Sequence, residues 1–114
     1  MAALTAITPT LAGVASAGAA VAASDTIDAS ILGQRGAYLE IINGNASPDS
    51  MTISDHSATR AGSNLPSNTF AASVTNATSK VFHIKPEQVN PTTGLVTVTH
   101  SVTATVTYKL YPIG

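Results

Sequence analysis

The stretch Val102-Thr-Ala-Thr-Val-Thr-Tyr-Lys-Leu110 repeats with a period of two. Successive strand residues point to opposite faces, so Val102, Ala104, Val106, Tyr108 and Leu110 form one apolar face, and Thr103, Thr105, Thr107 and Lys109 the other. A segment with this pattern is a half-buried β-strand, and it commits the chain to at least one sheet packed on a core. Leu95-Val-Thr-Val-Thr99 alternates in the same way, and the short break at His100-Ser101 predicts an antiparallel hairpin between the two.

Period two also governs the middle of the chain. Tyr38–Ile42 and Ser50–Ser54 flank Asn43-Gly-Asn-Ala-Ser-Pro-Asp49, where Asn-Gly offers the positive φ of a hairpin loop, so a second hairpin is expected. Phe70–Val74 and Lys80–Lys85 are further strands, separated by Thr75–Thr78 and ended by Pro86, which has no N–H to give a ladder. Asp55 to Thr69, with Gly62, Pro66 and several Ser and Asn, reads as a loop, and no long helix is indicated. The fold expected is all-β: a small antiparallel β-sandwich or jelly-roll-like domain over 25–114.

Residues 1–24 differ in kind. They are Ala-, Gly- and Thr-rich, with the first positive charge only at Arg35, so neither an export signal nor a membrane span is expected. Gly13 and Gly18 disfavour a helix. Small side chains let a backbone lie close against another surface, so the segment reads as an N-terminal arm ordered by a partner. Its candidate contact residues are Thr8, Pro9, Leu11, Val14 and Val21.

Composition narrows the function. Hydrophobic residues make up 44% of the 114, but aromatics only 4%, so Ala and Val are expected to carry a thin core. Charged residues are 10%, against about 25% for an ordinary soluble domain, which suits a surface covered by neighbouring subunits. The basic residues Arg35, Arg60, Lys80, Lys85 and Lys109 are scattered, so nucleic acid is not an expected partner. With no Cys there is no thiolate chemistry and no disulfide framework.

Groups able to do chemistry are few. Asp55 and His56 are adjacent and read as solvated loop residues; His83 and His100 could meet across a sheet as metal ligands but have no third partner in sequence. Asp25 and Asp28 could pair as carboxylates, yet Ser24–Asp28 reads equally as a turn or cap. Asn45-Ala-Ser47 and Asn76-Ala-Thr78 match the glycosylation triplet by chance. No catalytic residue, cofactor site or metal site is assigned, and an enzyme is not expected.

In its order of elements the chain resembles the capsid decoration, or cement, proteins of phages. The resemblance is carried by Thr8-Pro-Thr-Leu-Ala-Gly13 and its Ala-rich continuation to Ile27, by Tyr38-Leu-Glu-Ile-Ile-Asn-Gly44 leading to Met51-Thr-Ile53, and by Gly94–Ser101 followed by Val102–Leu110. It implies a non-enzymatic virion component, assembled in the host cytoplasm, that binds the major capsid protein on the outside of the shell and stabilises it, commonly as a homotrimer. A tail or head-tail connector subunit, or a secreted β-sandwich serving adhesion or carbohydrate binding, is the alternative.

Overall fold

The computed structural model describes residues 2–15, 18–56 and 69–113. The strands are β1 (Ala2–Ala3), β2 (Ala19–Ala20), β3 (Ser24–Asp28), β4 (Ala37–Asn43), β5 (Asp49–Ser54), β6 (Thr69–Val74), β7 (Thr78–Ile84), β8 (Leu95–Thr99) and β9 (Val106–Pro112). A one-turn helix α1 (Ala29–Leu32) follows β3, and a 3-10 turn at Pro86–Gln88 follows β7. One sheet runs β1-β3-β8-β5-β6 and the other β2-β9-β4-β7. Every pairing is antiparallel except the short parallel contact of β1 with β3. The two sheets pack face to face, making the expected sandwich with jelly-roll-like interleaving.

Both expected hairpins are absent. β4 and β5 lie in opposite sheets, as do β8 and β9. The linkers Gly44–Pro48 and His100–Thr105 are arches over the core edge, and Thr75–Ala77 likewise carries the chain from β6 to β7 in the other sheet. Of the connections between β3 and β9, only that from β5 to β6 stays within one sheet. Residues 57–68 of the loop expected there lie outside the described residues, and Thr69 already belongs to β6.

The local causes are specific. β9 starts at Val106, not Val102, because Thr105 takes φ 57° and the Val106 N–H turns back to the Thr103 carbonyl. Val102 and Ala104 therefore sit in the arch. Gly44 has no positive φ; it is needed because a Cβ there would stand 2.9 Å from the Thr105 carbonyl oxygen. Gly36 is tighter still, at φ 88° and with a Cβ position 2.1 Å from the Ile84 carbonyl oxygen.

The core is built from branched aliphatics. Leu39, Ile41, Val106, Tyr108, Leu110 and Ile84 face Ile27, Val96, Val98, Met51, Ile53 and Val74, with Leu32 of α1 closing one end. Burying each such side chain contributes about 1.5–3 kcal/mol. The Ala that dominate the composition contribute Ala37 and Ala72 to this core. The apolar fraction is thus divided, with Leu, Ile and Val inside and Ala mostly in the arm.

The segment 1–24 is stitched to the sandwich at two places. β1 extends one sheet beside β3, and the Leu4 N–H donates to the Thr26 carbonyl while its side chain is buried. The Ile7 N–H donates to the Leu110 carbonyl, and the Thr5 N–H to the hydroxyl of Tyr108, whose ring crosses the core. Returning, β2 pairs with β9 and Val21 is buried. An arm expected to find its order on a partner finds much of it on its own body.

Candidate functional site

Between these anchors the chain projects. Thr10 and Gly13 close a turn, with the Gly13 N–H 3.0 Å from the Thr10 carbonyl and the Thr10 Oγ1 3.0 Å from the Gly13 carbonyl. Gly13 holds φ 90°, where an L side chain would be strained. Leu11, at the tip, is fully exposed at 107%, and Val14 is 49% exposed. Thr8 and Pro9 are exposed beside them. Of the five candidate contact residues, four therefore share one projecting loop. Val21 is the correction: it is 8% exposed and fills the protein's own core, so it is not presented to a partner.

No charged side chain lies between Met1 and Ser24, so the loop offers a neutral, apolar surface. Exposed large apolar side chains also occur on the outer face of the second sheet, at Tyr38 and Val81. There the register sets Tyr38 between Tyr111 of β9 and His83 of β7, with the Tyr38 and His83 ring centroids 5.5 Å apart.

Neither His83 and His100 nor Asp25 and Asp28 are brought together in the fold. His83 lies on this outer face, its Nε2 3.0 Å from the Arg35 carbonyl, while His100 is buried beside the other sheet. Asp28 is exposed and caps α1 by accepting the Ser30 N–H at 2.9 Å. That backbone hydrogen bond, followed by one from the Ser30 side chain, holds the Asp28 carboxyl below its usual range. Asp25, by contrast, is buried. Past the end of β5, the His56 N–H donates to the Gln88 carbonyl. Asn45 donates from its amide to the Ala104 carbonyl, and Asn76 stands in the exposed turn before β7.

What the sequence did not assemble is a buried polar cluster. His100 Nδ1 lies 2.7 Å from Asp49 Oδ2, and its Nε2 faces Asp25 Oδ2 at 3.8 Å, too long for a hydrogen bond. Asp49 Oδ1 accepts the Ser101 N–H, Asp25 accepts the Ala22 N–H on both oxygens, and the His100 N–H donates to the Ala23 carbonyl. The cluster therefore joins β3, β5, the end of β8 and the base of the arm. Among the described residues no group of three His, Cys, Asp or Glu is arranged to hold a metal ion, and no cavity is found. The cluster's hydrogen bonds tie these segments together.

Comparison with family models, with curated proteins and with solved structures finds no match.

Proposed function

We propose that the chain is a non-enzymatic virion structural protein that attaches to the outside of a phage capsid shell and stabilises it, with the major capsid protein as partner and Thr8–Ala15 as the attachment element. The observation carrying this reading is a Leu side chain held in solvent at the tip of a loop whose two ends are fastened to the sandwich. Burying Leu11 and Val14 on a partner would contribute about 1.5–3 kcal/mol each. Anchoring at both ends lowers the ordering cost of binding. The low charge and the resemblance to decoration proteins point the same way, and self-association as a homotrimer belongs to the same proposal.

The test is a gel of purified particles against host lysate, with cross-linking to identify the neighbour. Enrichment in particles with cross-links from the loop region to the head protein supports a decoration role. Cross-links to tail or connector proteins move the role there, and absence from particles overturns it.

A second reading, glycan binding by a surface β-sandwich, draws on the row Tyr111, Tyr38 and His83, since an aromatic face can stack on the apolar face of a sugar ring. Quenching of tyrosine fluorescence by oligosaccharides, lost in Tyr38→Ala, would favour it. An unchanged spectrum across a glycan panel would exclude it.

A further inference from the structure

We propose that Asn43-Gly44 is a modification site gated by folding: the intact sandwich blocks its deamidation, and chains that stay unfolded convert there and lose the ability to fold. Asn followed by Gly is the dipeptide most open to this chemistry, because no Cβ on the second residue obstructs its nitrogen. The Gly44 nitrogen attacks Asn43 Cγ, the Cγ–Nδ2 bond breaks, and ammonia leaves as a succinimide closes. One water then opens the ring to aspartate or to isoaspartate.

The fold requires both residues. Asn43 is 1% exposed at the end of β4. Its Nδ2 donates to the Ser47 carbonyl at 3.1 Å and to the Val74 carbonyl at 3.0 Å, while its Oδ1 accepts the Asn45 N–H at 2.9 Å. That combination of two donors and an acceptor is met by a primary amide and not by a carboxylate. Gly44 is held by the close Thr105 carbonyl, which also accepts its N–H at 3.0 Å. The labile pair thus follows from the arch between β4 and β5.

The same contacts supply the gate. The amide is fixed by three hydrogen bonds and the attacking nitrogen is engaged elsewhere, so reaction must wait for local or global opening. Conversion also closes the way back. Aspartate would keep the Asn45 N–H on one oxygen but set the other, charged and buried, against the Ser47 and Val74 carbonyls with no hydrogen to give them. Isoaspartate would add a backbone methylene between Asn43 and Gly44 that lengthens the arch and moves the Gly44 N–H off the Thr105 carbonyl.

The test holds the full chain at one mildly alkaline pH and temperature, in native buffer and in guanidinium chloride, and follows the tryptic peptide Gly36–Arg60 by mass spectrometry. Asn45, in the same peptide but followed by Ala46, is the internal comparator. In denaturant Asn43 should convert faster than Asn45, and in native buffer it should convert at least about a hundredfold more slowly than in denaturant. Native and denatured rates within about threefold would overturn the gate. After dilution out of denaturant and gel filtration, converted chains should be missing from the folded fraction. Their recovery there in undiminished proportion would overturn the lock.

Discussion

His100 Nδ1 and Asp49 Oδ2 stand 2.7 Å apart with both side chains closed off from solvent, joining the end of β8 to the start of β5. Removing one member leaves the other a buried polar group without its hydrogen-bond partner, which costs about 1–3 kcal/mol. That is a large share of the about 5–15 kcal/mol that hold a domain together. Asp49→Ala should therefore shift the urea midpoint strongly downward. Asp49→Asn, which keeps an acceptor for the Ser101 N–H, should cost less. Equal midpoints for Asp49→Ala and the parent chain would show that the cluster ties nothing.

The arm contributes to the core, so truncation is not neutral. Leu4→Ala should destabilise by about 2–5 kcal/mol. Deleting 1–24 should cost more, since Val21 is lost and the edges of β3 and β9 are uncovered. A truncated chain that unfolds at the parent's urea midpoint would contradict the docked arm.

Among the described residues, two other than Gly hold positive φ, Ala77 at 60° and Thr105 at 57°. Left-handed backbone costs an L residue about 1–2 kcal/mol, less for Asn. Ala77→Gly and Thr105→Asn should each raise stability, by roughly 0.5–1 kcal/mol after the added freedom of the unfolded chain is set against the relief. Thermal melts that fall for both would refute these turn geometries.

Asp28 makes a pH-dependent contribution through α1. Its carboxyl is held below the usual 3.8 by Ser30, so its stabilisation is complete above that value and disappears as pH falls through the lower folded value. Asp28→Ala should lower the melting temperature at neutral pH, and the difference from the parent should close in strong acid. A difference that is constant with pH would mean that the charge is not what stabilises the cap.

The faces of the strands are legible in the sequence, and their partners are not. Val106, Tyr108 and Leu110 are buried as their alternation requires, and so are Leu39 and Ile41. Pairing escapes such a reading because a short polar linker serves an arch as well as a hairpin, and only the opposing sheet decides between them. A signal for the buried polar residues is present. Asp25 is in phase with Ile27, Asn43 with Leu39 and Ile41, Asp49 with Met51 and Ile53, and His100 with Val96 and Val98. A polar residue in phase with buried neighbours must find partners inside, yet those partners lie far along the chain, Asp49 and His100 being 51 positions apart. Val21 passes for a contact residue in sequence because composition does not reveal that β2 lays the chain back against β9.

Leu11→Asp combined with Val14→Asp tests most directly whether the loop from Thr8 to Ala15 attaches this protein to a shell. Neither side chain belongs to the buried core, so the double variant should fold with an unchanged circular dichroism spectrum and urea midpoint. Mixed with undecorated particles and sedimented, it should bind at least about a hundredfold more weakly than the parent chain, since two apolar anchors worth about 1.5–3 kcal/mol each are replaced by charges. Retention equal to that of the parent chain would contradict attachment through this loop.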